Sequence, residues 1–189
     1  MAGETRPTFP KWKLWFWLAM AVIVLVAVYF WREEPQPLAT LELEPLTGGG
    51  AAVTTPDLKG HVTLVNIWGT WCPPCREEFP HIVELYRHYR DRPRFSLLAV
   101  STSGGDDDDV DALRAATLEF LDQQKASDLP TYVDPGKKTR EAIGAIVGMV
   151  VYPTTVLVDA QGRVRGHWIG YRTGTEREMS LLIDHLLAE

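Results

Sequence analysis

From Leu14 to Trp31 the chain is apolar for 18 consecutive residues, and beyond that run the hydrophobic positions break into short stretches whose period changes repeatedly. At about 1.5 Å per helical residue the run spans roughly 27 Å, close to the hydrocarbon thickness of a bilayer. Trp12, Trp15 and Trp17 at one end and Tyr29, Phe30 and Trp31 at the other suit interfacial aromatic belts. Residues 33–37, with two prolines, read as a short stiff linker. Leu41-Glu42-Leu43-Glu44 alternates with period two and predicts a strand; Gly48-Gly49-Gly50 predicts a turn, 51–54 a return strand and 55–60 a loop, together an N-terminal hairpin. His61 to Trp68 is apolar and β-branched almost throughout, the pattern of a strand buried on both faces. After Pro73 the period lengthens: Phe79, Ile82, Val83, Leu85, Tyr86 and Tyr89 predict an amphipathic helix to about Arg90, with a kink expected at Pro80. Phe95 to Ser101 repeats the buried-strand pattern, so strand, helix and strand imply a right-handed parallel crossover. A helix from Val110 to Gln124, a strand from Thr131 to Val133 and a short helix from Lys137 to Ile143 follow. Strands Thr154 to Asp159 and Arg163 to Ile169 meet at the Ala160-Gln161-Gly162 turn, and a helix from Thr175 to Leu187 closes the chain. The class is α/β.

Charge and processing signals give the apolar run its meaning. The run is long, ends in bulky aromatics, and is followed by neither a small-x-small cleavage site nor a lipid-acceptor cysteine, so it reads as a retained anchor rather than a cleaved signal peptide. Arg6, Lys11 and Lys13 precede it and Arg32, Glu33 and Glu34 follow, which places the N-terminus in the cytoplasm and the rest on the exoplasmic or periplasmic side. The expected division is a cytoplasmic stretch 1–13, an anchor 14–31, a linker 32–38 and one domain 39–189, long enough to bury a core. The formal net charge is -6, with no Lys/Arg cluster, which argues against nucleic-acid binding. In an exported compartment an exposed cysteine pair is either a resting disulfide or is kept reduced by a dedicated electron supply.

The chain has two cysteines, Cys72 and Cys75, placed where the first buried strand gives way to its helix. Cys-x-x-Cys is either half of a zinc site or a redox pair. No second Cys-x-x-Cys or His-x-x-x-His supplies the missing ligands, so no metal is expected and the redox reading stands. Cys72 falls at the helix N-terminus, where the dipole and unpaired N–H groups stabilise a thiolate, which makes it the attacking nucleophile; Cys75, one turn in and more buried, is the resolving thiol. Pro73 and Pro74 stiffen a first turn that needs no N–H donors. Trp71, beside the nucleophile, is a candidate for a docking surface or a shield over the disulfide, and Trp68 reads as core. The acidic run Asp106 to Asp109 lacks EF-hand spacing and reads as a helix cap. Of the five histidines only His81, on the motif's helix, carries a question.

Leu64-Val65-Asn66-Ile67, the stretch Trp68-Gly69-Thr70-Trp71-Cys72-Pro73-Pro74-Cys75-Arg76-Glu77-Glu78-Phe79-Pro80, and Tyr152-Pro153-Thr154-Thr155-Val156-Leu157-Val158-Asp159 with Gly162 resemble the TlpA/ResA-like membrane-anchored thioredoxins, relatives of the cytochrome c maturation reductase CcmG. The resemblance runs over residues 38–189. It implies a thioredoxin fold, a central mixed sheet flanked by helices, with an N-terminal hairpin and a central insertion made of the 110–124 helix and the 131–133 strand. It implies that Pro153 is cis and faces the disulfide, so Tyr152 and Thr154 join Trp71, Pro73 and Pro74 as candidate docking residues. Tyr152 departs from the smaller aliphatic residue common at that position. Thioredoxin keeps a titratable Asp in the strand before its motif, where this chain has Asn66, which cannot titrate; Glu78, three residues after Cys75, takes the acid-base role that the resemblance assigns, while Glu77 faces solvent. The implied activity is reduction of protein disulfides, with apocytochrome c as client, electrons from a transmembrane thiol carrier, and no cofactor beyond the Cys72–Cys75 disulfide. Two alternatives remain: a disulfide-forming oxidant of the same fold, and a copper-delivery module using the thiolates with Met149 or His167. A peroxiredoxin-type peroxidase lacks its Pro-x-x-x-Thr-x-x-Cys pattern here.

Overall fold

The computed structural model describes residues 11–30, 35–105 and 109–189, with side chains of the first segment described for 15–24. Two compact units result, Met1–Glu34 and Pro35–Glu189. In the first, α1 (Lys11–Phe30) is one helix of 20 residues. Among the described residues no helix is long and apolar enough to cross a membrane; of the expected 14–31 span, Trp31 lies outside them.

The second unit is built on a seven-stranded sheet of order β2-β1-β5-β4-β3-β6-β7. Its strands are β1 (Glu42–Thr47), β2 (Val53–Thr54), β3 (Val62–Trp68), β4 (Phe95–Ser101), β5 (Thr131–Val133), β6 (Thr154–Val158) and β7 (Val164–Ile169); α2 (Pro73–Tyr89), α3 (Val110–Gln123), α4 (Lys138–Val147) and α5 (Thr175–Ala188) complete it. β3 pairs parallel with β4, and β4 with β5, whereas β6 runs antiparallel to β3 and β7 to β6. The hairpin β1–β2 joins the sheet through β5. This is the mixed thioredoxin-like sheet that the family resemblance implied.

Every residue of β3 is buried, because helices cover both faces. Val62, Leu64 and Trp68 share one cluster with Phe79 and Ile82 of α2 and Ile183 of α5. Val65 and Ile67, of opposite parity, pack with Leu41, Leu43 and Ile143 on the other face. Period two therefore also sends Asn66 toward α2. Trp68 stacks at 4.5 Å from Phe79 and 5.3 Å from Phe120 of α3, which binds the inserted helix to the motif's helix.

Three details differ from the sequence reading. The segment 55–58 closes as a short 3-10 helix, because Asp57 accepts the Thr54 backbone N–H at 2.8 Å. α4 runs to Val147 instead of stopping near Ile143, since Ile146 and Val147 continue the apolar face into the second cluster. The expected linker is partly domain: Pro37 bridges to Arg163, the Val164 N–H donates to the Gln36 carbonyl at 2.8 Å, and Leu38 is buried in the core.

Candidate active site

Cys72 and Cys75 are joined in a disulfide with their Cα atoms 5.2 Å apart. Cys72 is the N-cap of α2: its backbone is extended (φ -90, ψ 113), and its Sγ accepts the Cys75 N–H at 3.3 Å. That bond and the helix dipole stabilise a thiolate on Cys72 once the disulfide is opened. Pro73 and Pro74 fill the first turn, where no N–H is needed. Cys75 is the more buried, as expected, but narrowly, at 1% against 3% for Cys72. Cys72 is thus no open surface residue.

The register of β3 against β6 brings a second segment level with the start of the motif. Ile67 pairs with Thr154, so the residue before Thr154 lies level with the end of β3 where the motif begins. That residue is Pro153, and the Tyr152–Pro153 bond is cis. Pro153 and Thr154 are buried, and the Pro153 carbonyl accepts the Gly170 N–H at 2.8 Å. Trp71 is 50% exposed, donates its Nε1–H to the Thr102 carbonyl at 2.9 Å, and meets Tyr152 edge to face at 5.4 Å.

Glu78 is 3% exposed, whereas Glu77 faces solvent. Asn66 donates through Nδ2 to Glu78 Oε2 at 2.9 Å and to Thr155 Oγ1 at 2.8 Å, so the amide sits where the even face of β3 meets α2. Burial pushes the Glu78 carboxyl up to about 7; the Asn66 hydrogen bond opposes the shift and the charge of Glu176 adds to it. A group that exchanges its proton near neutrality, one helical turn from Cys75, can take a thiol proton and return it.

The AhpC/TSA family profile matches residues 28–167. The chain belongs to the AhpC/TSA family. It is 28% identical over 181 residues to a thioredoxin-like protein, YneN, of Bacillus subtilis, covering 89% of this chain and 98% of that one. It is 33% identical over 129 residues to the thiol-disulfide oxidoreductase ResA of Bacillus thuringiensis, covering 68% of this chain and 66% of that one. It is 27% identical over 165 residues to the thiol:disulfide interchange protein DsbE of Pseudomonas aeruginosa, covering 81% of this chain and 82% of that one. Among solved structures, one described as a DsbE-type interchange protein from Chlorobium tepidum shares the fold, with a TM-score of 0.62 at 23% identity over 82% of this chain and 98% of that one. The ResA kinship expected from the motifs is therefore present, DsbE is a further relative, and this AhpC/TSA member is a thiol-disulfide oxidoreductase.

Several parts of this AhpC/TSA site lay beyond sequence reasoning. Arg140, on the first turn of α4, donates from Nη1 to Tyr152 Oη at 3.1 Å and to Thr102 Oγ1 at 2.9 Å. Nothing in its local sequence separates it from a surface helix charge. Gly104, which adopts φ +80, lies so close to the Trp71 indole that a Cβ would overlap the ring. Gly104→Ala is expected to displace Trp71 and to lower stability by about 1–3 kcal/mol through backbone strain and overlap together, read as a lower urea midpoint and altered indole emission. Met149 and His167, the proposed copper partners, are both exposed, and among the described residues no group of three or more His, Cys, Asp or Glu side chains could hold a metal. Asp109 caps α3 by accepting the N–H groups of Asp111 and Ala112, both at 3.1 Å; Asp106, Asp107 and Asp108 lie outside the described residues. His81 stacks on Tyr171 at 5.8 Å.

Proposed function

We propose that the chain is a membrane-anchored reductant of protein disulfides on the exoplasmic side of the cytoplasmic membrane, with apocytochrome c as its client and a transmembrane thiol carrier as its electron donor. One observation carries the reading: a disulfide capping a helix N-terminus, with a buried carboxyl titrating near 7 one turn behind it. In the reduced protein the Cys72 thiolate attacks a client sulfur, the client S–S bond breaks, and one client thiolate leaves. Glu78 takes the proton of Cys75, whose thiolate then attacks Cys72 Sγ and releases the second client thiolate. Two electrons have passed to the client, and the donor dithiol restores the pair by the reverse sequence. The apolar sequence of residues 14–31 supports the anchor.

Titration of Cys72/Cys75 against dithiothreitol and glutathione buffers, paired with the thiol state in cells, tests the direction. A reductant shows a strongly negative potential and a reduced pool, with about 30 mV per tenfold change in the equilibrium. An oxidised pool and a high potential would establish the disulfide-forming alternative. Resistance of the full chain to alkaline extraction from membranes tests the anchor; release into the supernatant would refute it.

A further inference from the structure

One buried charge, hydrogen-bonded to Tyr152 and Thr102, has no part in the exchange chemistry. The Arg140 side chain is 8% exposed and its Nε lies 3.5 Å from Oδ2 of Asp134, which is 1% exposed. Asp134 is also occupied by the backbone, accepting the N–H of Thr139 at 3.0 Å and of Arg140 at 2.8 Å. Desolvating a guanidinium is costly, and an apolar side chain against Ile143 and its neighbours would avoid that cost. What the cation does here is reach two segments at once. Its Nη1 donates to Tyr152, in the loop before the cis-proline, and to Thr102, after β4. Thr102 in turn holds the Trp71 indole through its carbonyl, and Trp71 meets Tyr152 edge to face. Arg140, Thr102, Trp71 and Tyr152 thus form a closed circuit of three hydrogen bonds and one ring contact, drawn from the motif turn, the end of β4 and the loop before the cis-proline.

We propose that Arg140 is a positioning residue for client binding: it pins Tyr152 and Trp71 as a rigid two-ring platform on which the client chain is seated beside Cys72. The inference rests on the proposed disulfide exchange with protein clients. Val151 and Ile169, both exposed, continue the platform on the cis-proline side, since Ile169 pairs with Thr154. The client segment it suits is extended and carries apolar side chains next to its cysteine. Rings held in place before binding lose little freedom when a client docks, so the circuit acts on affinity and leaves the sulfur chemistry to Cys72, Cys75 and Glu78.

The test uses the full chain in detergent micelles, with dithiothreitol as reductant and a peptide disulfide flanked by apolar residues as substrate. Arg140→Met and Tyr152→Phe each are expected to raise KM about tenfold while kcat stays within about twofold, the pattern of lost binding shared by ground and transition states. Arg140→Lys restores part of the loss. Acrylamide quenching of Trp71 emission, isolated by difference from Trp71→Phe, rises in the same variants, and the potential of the cysteine pair does not move. An unchanged KM, or a fall in kcat at constant KM, overturns the proposal. Where Arg140→Met fails to fold, Tyr152→Phe decides, because it leaves the Arg140–Asp134 pair and the Thr102 bond intact. Where the unaltered chain does not turn over the peptide at all, the disulfide-reductase reading has failed instead; quenching then decides the positioning role alone, and Trp71 equally shielded in every variant overturns it.

Discussion

Glu78→Gln will make the domain more stable above pH 7 and will strip neutral-pH dependence from the second half of the exchange. Folding raises the Glu78 carboxyl from its usual 4.5 to about 7, chiefly because burial disfavours the charge. Between those values the folded chain holds a proton that the unfolded chain has released. Stability contributed by the protonated form is therefore fully present below about 4.5 and is lost as pH rises toward 7. At about 1.4 kcal/mol per unit, the loss across the window is about 3 kcal/mol. Gln keeps an oxygen to accept from Asn66 and carries no charge, so its stability lacks this slope. Urea unfolding of both proteins from pH 4 to pH 8 should give curves that separate through the window, and parallel curves would refute the shift. The same substitution removes the base that serves Cys75. Release of a client from the Cys72 mixed disulfide, followed in single turnovers, should slow by about 10²–10⁴-fold and lose its inflection near 7.

Serine at each cysteine separates the two sulfur roles. Cys72→Ser leaves a hydroxyl that is not ionised near neutrality and cannot open a client disulfide. Turnover is expected to fall by on the order of 10³ or more, with no client adduct. Cys75→Ser keeps the nucleophile at the helix N-terminus and removes the thiol that resolves the intermediate. The chain then accumulates as a mixed disulfide with its client, visible as a larger species on non-reducing gels and lost on reduction. Adducts on Cys75 in Cys72→Ser would reverse the assignment. Trapping from intact cells also identifies the client directly, apocytochrome c included.

How far these sites are legible in the chain depends on the range of the forces that build them. The buried strands β3 and β4, the helix that follows the cysteines and the capping position of Cys72 all follow from local rules: continuous β-branched apolar residues, a change of period, and prolines confined to a first turn. The placement of Asn66 beside Glu78 was within reach too. Alternation sends Asn66 to the same face as Leu64 and Trp68, and three residues after Cys75 puts Glu78 on the inward side of α2. The extent of the domain was less legible, because Pro35 and Pro37 read as linker while the pairing of Gln36 and Pro37 with the β7 edge is a long-range event.

The position of the Cys-x-x-Cys pair at a strand-to-helix junction, the α/β class and the inward side of Glu78 were therefore determined by sequence alone, since each is a property of neighbours within one or two turns or of strand alternation; the acid-base role of Glu78 came from the family resemblance. The Ile67–Thr154 register is the means by which Pro153, expected at the site from the resemblance, comes level with the start of the motif. Tertiary structure alone decided two things. It left Cys72 almost as buried as Cys75. It turned Arg140, 12 residues before Tyr152, inward to hold Tyr152 and Thr102 together. A cation's burial depends on which partners the packed sheet places around it, and no local pattern of residues encodes those partners.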